Sequence, residues 1–331
     1  MNRFEWSNAT TVEEVVGQIG EKVAIKAGGV DLMDLLKENL ATPTRLVNLR
    51  TVSGLDGIAE RGAQGLRIGP MATLARIGAD PLVRRRYRAL ADAAGHAATP
   101  QIRNMATAGG NLLQRPRCWY FRSESFHCLK KGGSTCFAQN GENAYHAIFG
   151  NQRCAIVHPS ATAVALVALG ATLEITGAAG ARPVLLESFF VTPEADVLRE
   201  NTLAPGELIT AIDVPAPAAG ASSAYTKQGA KESFDWPLAE VAVVLERAGD
   251  RVTRASIVLG AAAPVPYRAK AAEKALIGQT ISAETARAAA AAALQGATPL
   301  AQNAYKLPMF EAIVRRTILA AADPGAEGRA Q

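Results

Sequence analysis

The placement of four cysteines constrains this chain more than any other feature of its sequence. All the cysteines in the 331 residues fall within segment 115–154, at Cys118, Cys128, Cys136 and Cys154. The segment is rich in Arg, Lys, Gly and Ser and has the periodicity of neither a helix nor a strand. A loop of this length in a compact protein is commonly functional, or is held by something other than a hydrophobic core. We therefore expect the thiols to hold this part of the chain together.

Three kinds of site explain such a group of thiols. Two disulfides require an oxidising compartment. A structural zinc ion commonly takes closely spaced C-x2-C pairs, which this sequence lacks. An iron–sulfur cluster accepts wide spacings when the fold brings its ligands together. Basic residues in the segment favour this third site, because they offset the negative charge of a thiolate-ligated cluster: Arg115, Arg117, Arg122, Lys130, Lys131 and Arg153. Spacing alone leaves all three kinds of site open.

Composition limits the other classes to which the chain can belong. Hydrophobic residues make up 49% of the chain and charged residues 20%, as in an ordinary globular protein with more than one core. The net charge of +5 does not predict nucleic-acid binding, because Lys and Arg are spread along the chain and the aromatic residues, at 5%, form no stacking platform. No apolar run reaches the ~18 residues of a membrane span. The N-terminus lacks the apolar stretch of a signal peptide, so we expect a cytoplasmic protein that is exported, if at all, bound to a partner subunit.

Two glycine-bearing turns are candidates for holding phosphate. A short β-branched run at 23–25 is followed by Gly28 and Gly29 and then by leucines at helical spacing over 31–40. Glycines let the backbone approach a phosphate closely, and free N–H groups at a helix start favour anionic oxygens. Residues 102–111 predict a second polar turn rather than a regular element. Neither turn has the spacing of a dinucleotide-binding or P-loop motif, so the pattern predicts anion binding without specifying a nucleotide fold.

Helical and strand patterns alternate along the rest of the chain. Helices are predicted at 81–94, 161–169, 269–277, 282–295 and 306–321. Strands are predicted at 46–49, 66–69, 171–176, 238–245 and 254–259. The small, proline-rich stretch 215–220 is typical of a linker. These patterns predict an α+β protein with a domain boundary near residue 220.

Taken in order, these motifs resemble a known family. The runs KAGG at 26–29, IRN at 102–104 and AGGNLLQR at 108–115, followed by Cys118, are similar to the FAD-binding medium subunits of molybdenum hydroxylases. That family includes the flavin subunits of carbon monoxide dehydrogenase, xanthine dehydrogenase and aldehyde oxidoreductase. The three further cysteines and the run HPS at 158–160 resemble the aldehyde oxidoreductase branch, whose flavin subunit carries an additional [4Fe–4S] cluster. The likeness extends over nearly the whole chain.

The resemblance implies a fold and a set of cofactor contacts. The fold is α+β: a two-part FAD-binding domain of the molybdopterin-dehydrogenase type (PCMH, vanillyl-alcohol-oxidase-like) over 1–220, with the iron–sulfur segment 115–154 inserted, and a smaller C-terminal α+β domain over 221–331. The FAD pyrophosphate is wrapped by Ala24, Ile25, Lys26, Ala27, Gly28, Gly29, Val30, Asp31 and Leu32. A second loop beside the ribityl chain and phosphates consists of Thr107, Gly109, Gly110 and Asn111. Ile209 lies near the flavin ring, Lys227 lies close to the cofactor, and the four cysteines ligate the cluster.

The resemblance also implies a function in which no substrate bond is made or broken on this chain. Electrons pass from a large molybdenum-cofactor subunit through a small [2Fe–2S] subunit to FAD, and then to an external electron acceptor. Two alternatives stay open: the flavin/[4Fe–4S] subunit of a hydroxybenzoyl-CoA-reductase-type enzyme, and a zinc-stabilised binding protein that is not an enzyme. The chain departs from the family at Val30 and Asp31, where a small polar pair is usual. It departs again at Ala161, where the family has an aspartate that contacts flavin.

Overall fold

The structure is a computed structural model, and it describes residues 1–323. These residues form three sheets, and helices pack against each sheet. The predicted C-terminal domain extends further, and its part at 324–331 lies outside the described residues. The strands are β1 (Glu5–Asn8), β2 (Val23–Lys26), β3 (Arg45–Asn48), β4 (Ile58–Glu60), β5 (Leu66–Ile68), β6 (Thr172–Gly177), β7 (Gly180–Leu185), β8 (Leu208–Val214), β9 (Ser222–Gln228), β10 (Ala239–Ala248), β11 (Arg251–Gly260) and β12 (Tyr267–Arg268). The α-helices are α1 (Val12–Gln18), α2 (Val30–Lys37), α3 (Leu74–Ala79), α4 (Pro81–Arg86), α5 (Arg88–Gly95), α6 (Pro100–Met105), α7 (Ala108–Leu112), α8 (Trp119–Arg122), α9 (Ala161–Ala168), α10 (Lys270–Leu276), α11 (Ala283–Ala293) and α12 (Lys306–Ala322).

The first sheet is small and parallel, and it carries the first glycine turn. Its strand order is β1-β3-β2, with Ile25 of β2 paired to Val47 of β3. Parallel strands need crossover connections, which run through α1 and α2. Val15 of α1 and Val47 are fully buried and belong to the same apolar core. The turn between β2 and α2 therefore lies at the carboxyl edge of the sheet, the usual place for ligands in parallel sheets.

The second sheet is antiparallel and supports one wall of the candidate site. Its order is β4-β5-β8-β6-β7, and it packs with α3, α5 and α9 around the largest apolar core. All eight residues of α9 are buried, as expected for a helix that is apolar on every side. This core fixes the start of α9 at Ala161 and the position of β8, which begins at Leu208.

The third sheet forms the C-terminal part of the chain. Its antiparallel order is β12-β11-β10-β9, and α10, α11 and α12 share a separate apolar core with it. The mixture of parallel and antiparallel sheets with packed helices confirms the predicted α+β class. Within residues 1–323 no helix is both long enough and apolar enough to span a membrane.

Two of the predicted elements are wrong in detail. The helix predicted at 81–94 is two helices, α4 and α5, because Tyr87 adopts φ −134° and ψ 50° between them. The turn predicted at 102–111 contains most of α6 and all of α7. Side-chain oxygens of Thr99 and Thr107 cap these short helices by accepting hydrogen bonds from their first-turn N–H groups. The cysteine segment contains, besides α8, only two single 3-10 turns.

Candidate functional site

A cleft of about 1050 Å³ lies where the first sheet, the α6–α7 segment, β8 and the β9–β10 connection meet. Its volume is at the upper end of the range for ligand sites, as a dinucleotide-sized cofactor requires. The wall contributed by the two glycine turns includes Gly28, Gly29, Thr107, Gly109, Gly110 and Asn111. The lining also includes Leu203, Leu208, Ile209, Lys227, Phe234, Trp236 and Glu240. The two predicted phosphate turns therefore face one shared cavity.

The first glycine turn leaves backbone donors free at the start of α2. Gly29 precedes the helix with φ 85°, in the left-handed region that favours glycine, and no side chain among the described residues caps the helix. The first-turn N–H groups of an α-helix have no intrahelical acceptor. Because Val30, Asp31 and Leu32 all line the cleft, their N–H groups are available to an anionic oxygen there.

The two glycine turns touch each other through their backbones. A Cβ built on Gly28 would lie 1.9 Å from the carbonyl oxygen of Met105, at the end of α6. A Cβ on Gly109 would lie 2.9 Å from Cβ of Pro70. Both glycines are therefore required by close approach, and side chains at either position would push the walls of the cleft apart.

Asn111 links the second turn to the start of α9. Its Oδ1 accepts hydrogen bonds from the hydroxyls of Ser160 at 2.6 Å and Thr162 at 2.5 Å. Ala161, between these two residues, lines the cleft. The position at which the resemblance implies an aspartate thus faces the cavity, and here it presents only a methyl group.

Most of the residues implied to bind FAD line this one cleft. They are Ile25, Ala27, Gly28, Gly29, Val30, Asp31, Leu32, Thr107, Gly109, Gly110, Asn111, Ile209 and Lys227. Two are not among the lining residues: Ala24, and Lys26, whose ammonium lies 5.5 Å from the ring centre of Trp6. The nine-residue stretch therefore contributes to the cavity mainly through its glycine turn and the first turn of α2.

Asp31 connects the flavin cleft to the cysteine segment. Its carboxylate accepts hydrogen bonds from Arg122 at 2.7 Å and from the backbone N–H of Arg115 at 2.9 Å, and it forms an ion pair with Arg117 at 2.9 Å. Glu200 binds Arg115 at 2.8 Å in the same way. Three of the arginines predicted to offset a thiolate cluster, Arg115, Arg117 and Arg122, are therefore paired with carboxylates.

Aromatic residues of the β9–β10 connection form part of the lining of the cleft. The ring of Trp236 lies 4.7 Å from the guanidinium carbon of Arg117, a cation–π contact. Phe234 and Trp236 line the cleft, and both are more than half exposed. The C-terminal part of the chain thus reaches across the cleft to the cysteine segment.

The four cysteines meet in a second, smaller cavity beside the flavin cleft. Its lining includes Cys118, Cys128, Cys136 and Cys154 together with Lys130, His146 and Ile156. Arg117 and Trp119 line the flavin cleft while Cys118, between them, lines the cysteine cavity. The two cavities therefore share one short stretch of backbone.

Backbone N–H groups point at the sulfurs. Cys118 precedes α8, and the amides of Tyr120 and Phe121 donate to its sulfur. Cys136 precedes a 3-10 turn in the same way, and its sulfur accepts from the amides of Ala138 and Gln139. Such donors stabilise thiolates and are typical of iron–sulfur sites.

Glycine is also required inside the cysteine segment. A Cβ on Gly133 would lie 1.9 Å from the carbonyl oxygen of His127, next to Cys128. Gly132 adopts φ 89°. The turn after Cys128 therefore closes tightly only with glycine at these two positions.

The Cys118 thiol ionises at neutral pH only when a cation is present, whereas hydrogen bonds from Cys154 and from backbone N–H groups lower the pKa of the Cys136 thiol to about 6. Burial raises the pKa of the Cys118 thiol to about 11. Nε2 of the buried His146 lies 3.2 Å from the Cys118 sulfur, and burial lowers the pKa of this imidazole to about 4, so the ring is neutral at pH 7. Buried thiols of this kind ionise when a metal supplies the positive charge. The donor set and its burial thus fit a metal-containing cofactor.

The described residues show no arrangement that matches a single-ion site. Among residues 1–323, no group of three or more His, Cys, Asp or Glu side chains is arranged to hold one metal ion. Zinc needs all its ligands within about 2.3 Å of one point. A [4Fe–4S] cluster takes a single thiolate on each iron, so its ligands lie further apart.

Two functional candidates were not recognised from the sequence. His146 follows no cysteine motif, and it reaches Cys118 only through the fold. Glu240 lies in the apolar part of β10, residues 239–245, and it lines the flavin cleft although only 1% of it is exposed. A lone carboxylate within the apolar run of β10 was the available signal for the second residue.

Comparison with known proteins places the whole chain in one family. Residues 2–217 match the FAD binding domain in molybdopterin dehydrogenase, and residues 223–321 match the CO dehydrogenase flavoprotein C-terminal domain. The FAD-binding subunit PaoB of an Escherichia coli aldehyde oxidoreductase is 36% identical over 308 residues, covering 92% of this chain and 91% of that subunit. The carbon monoxide dehydrogenase medium chain of Hydrogenophaga pseudoflava is 30% identical over 326 residues, covering 96% of this chain and 97% of that one.

Solved structures show the same similarity in three dimensions. A chain of carbon monoxide dehydrogenase from Hydrogenophaga pseudoflava superposes with a TM-score of 0.75 at 30% identity, over 97% of both chains. A chain of quinoline 2-oxidoreductase from Pseudomonas putida gives a TM-score of 0.75 at 26% identity, again over 97% of both chains. The protein described here belongs to the family of FAD-binding medium subunits of molybdenum hydroxylases.

Proposed function

We propose that this chain is the electron-transfer subunit of an aldehyde-oxidising molybdenum hydroxylase and that it carries both FAD and a [4Fe–4S] cluster. The family makes the chain an oxidoreductase subunit, which argues against a zinc-stabilised protein without enzymatic function. The aldehyde assignment is supported by the aldehyde oxidoreductase flavin subunit, which is 36% identical. The partners are a large molybdenum-cofactor subunit, a small [2Fe–2S] subunit and an external electron acceptor.

One observation carries the proposal: the flavin cleft and the four-cysteine cavity adjoin each other. Arg117 and Trp119 line the first, and Cys118 lines the second. Bound FAD accepts electrons from one-electron centres and delivers them to an acceptor, which is chemistry the protein itself does not supply. The chain binds and orients the cofactor through the free N–H groups at the start of α2 and the two glycine turns.

The residues between the two sites fix their relative position. Asp31, in the first turn of α2, holds Arg117 and Arg122, which flank Cys118 and α8. These ion pairs are largely shielded from solvent, and they hold the cysteine segment against the cleft. Asn303 donates to the carbonyl oxygens of His146 and Ala147 and fixes the other side of the segment to the C-terminal domain. The chain thereby positions an electron-transfer pair without contributing a catalytic side chain.

The proposed ligands are Cys118, Cys128, Cys136 and Cys154, and the proposed FAD contacts are the predicted residues that line the cleft. The cysteine set is supported by its common cavity and by the amide donors around two of the sulfurs. The proposed cluster either relays electrons or only crosslinks the segment, and the experiments below distinguish these two roles.

Anaerobic mixing of an aldehyde with the assembled three-subunit complex tests this function. We expect bleaching of the flavin absorbance in the complex, and no bleaching when the isolated chain meets the same aldehyde, because substrate oxidation takes place on the partner. A flavin that the aldehyde reduces directly in the isolated chain would contradict the proposal. A complex whose flavin is reduced by a low-potential donor but never by aldehyde would favour the hydroxybenzoyl-CoA-reductase-type alternative.

The cluster's role is tested in the same complex with Cys136→Ser. Loss of the cluster with an unchanged rate of flavin bleaching would identify it as a crosslink of the segment. A large fall in that rate, with FAD content unchanged, would identify it as a relay. The matched control is Glu124→Ser, at an exposed position of the same segment, which should leave both the cluster and the rate of flavin bleaching unchanged.

A further inference from the structure

One buried carboxyl group lines the flavin cleft with only half of its hydrogen-bonding capacity used. Glu240 of β10 is 1% exposed. Its Oε1 accepts a hydrogen bond from the hydroxyl of Tyr225 at 2.7 Å, whereas Oε2 has no partner among the described residues. A buried polar atom without a partner is costly, and in native proteins it commonly marks a function or a bound group.

The neighbouring strand keeps space for this carboxyl group. Gly260 of β11 pairs with Glu240, and a Cβ at Gly260 would lie 2.3 Å from Oε2. The same Cβ would lie 2.6 Å from a methyl group of Val164 on α9. The unpaired oxygen is therefore accommodated by the local packing, which admits no larger residue at Gly260.

Charged groups surround Glu240 without neutralising it directly. Lys227 lies opposite it on β9 and also lines the cleft. Lys306 of α12 is fully buried and donates to two backbone carbonyls. Lys227 donates instead to the backbone carbonyl of His96, and Oε2 of Glu240 accepts a hydrogen bond from neither lysine. Asp92 of α5 acts electrostatically on Tyr225, and Asp235 and Arg103 act on Lys227.

This environment makes the charge of Glu240 responsive to its surroundings. Burial raises the pKa of the Glu240 carboxyl to about 7, against the opposing effects of the Tyr225 hydrogen bond and of Lys227 and Lys306. Additional negative charge in the cleft raises the pKa of a carboxyl further, and its removal lowers it again. A group poised in this way changes protonation when a nearby cofactor changes charge.

We propose that Glu240 binds one proton when the flavin in this cleft is reduced and releases it when the flavin is reoxidised. The inference rests on the flavin-dependent electron transfer proposed above. Two electrons from the partner subunits and one proton enter the flavin. A second proton, from water in the cleft, binds the Glu240 carboxylate. When the external acceptor removes the two electrons, both protons return to water.

The pH dependence of the flavin midpoint potential tests the inference. Each proton taken up with two electrons changes that potential by about 30 mV per pH unit. We expect the FAD-loaded wild-type chain to show about 60 mV per unit near pH 7, and Glu240→Gln to show about 30 mV per unit over the same range. Glutamine keeps the size of the side chain and the acceptor for Tyr225. The matched control is Glu246→Gln, on the same strand, where the carboxylate instead pairs with Arg254.

Three results would overturn the inference. The first is the same slope in the wild type and Glu240→Gln, and the second is an equal loss of slope in Glu246→Gln. Tyr225→Phe gives an independent check, because losing its hydrogen bond raises the pKa of Glu240 and moves the steep region to higher pH. A steep region that stays in place in Tyr225→Phe is the third. A wild-type chain that binds no flavin would overturn the proposed function and this inference with it, whereas bound flavin with equal slopes overturns the inference alone.

Discussion

Replacing Gly28 with alanine tests whether the flavin site depends on close approach of its two glycine turns. The added Cβ would lie 1.9 Å from the carbonyl oxygen of Met105 and 2.9 Å from its carbonyl carbon. Non-bonded carbon atoms contact favourably at about 3.5–4.0 Å, so the two turns must separate by more than about 1 Å. Overpacking of this kind costs about 1–3 kcal/mol, and about 1.4 kcal/mol is tenfold in affinity. We therefore expect Gly28→Ala to weaken FAD binding by about 5- to 150-fold.

Titration of the apo chain with FAD, followed by flavin fluorescence, measures this loss. Thermal unfolding of the apo variant separates a distorted site from an unfolded chain. Gly20→Ala is the matched control, because a Cβ there meets nothing within 4 Å. Tight FAD binding by Gly28→Ala would refute the reasoning, and so would an equal loss in the control.

Three further substitutions test the contacts around the two sites. Burial lowers the pKa of His158 from 6.5 to about 3. Below pH 6.5 the unfolded state therefore binds a proton at His158 that the folded state does not bind. The neutral buried imidazole contributes fully to the stability of the folded state above pH 6.5, and this contribution is lost as the pH falls towards 3. Between pH 7 and pH 5 this loss is about 2 kcal/mol, and His158→Gln should remove it from urea-unfolding curves; an unchanged pH dependence would contradict the assignment. Asp31→Asn removes the nearer of the two carboxylates that Arg117 and Arg122 share and leaves them only the more exposed Asp34. We expect a loss of about 1 kcal/mol in the same assay after allowance for solvent screening, and wild-type stability would argue against the linking role. His146→Ala removes the hydrogen bond to Cys118, so the cluster potential measured by redox titration should fall; an unchanged potential would exclude that bond as a tuning contact.

Local features of the site were predictable because local chemistry determines them. Gly28 and Gly29 followed by leucines at helical spacing predicted a turn and a helix, and α2 begins within one residue of the predicted start. The buried run from Ala161 predicted α9 in the same way. The sequence pattern identifies such elements because each packs apolar residues into a core, on one face of α2 and on all sides of α9.

Features that depend on distant contacts could not be predicted. Asp31 meets Arg122 across 91 positions of sequence, so the pairing of the arginines with acids at the cleft was hidden. The α6 and α7 helices are short and depend on their threonine caps and on tertiary support, such as the hydrogen bond from Leu74 N–H to the carbonyl of Ala106. Glu240 enters the cleft only because β10 is placed there by the third sheet.

Iron, sulfide and flavin contents of the anaerobically purified chain, with visible spectra before and after dithionite, test our central claim most directly. We predict flavin bands on a broad absorption that dithionite bleaches, with about four irons and four sulfides per chain. Substitution of Cys136 by serine should remove the iron-dependent absorption and leave the flavin bands. Flavin without iron, or zinc in place of iron, would contradict the cluster that we assign to the four cysteines.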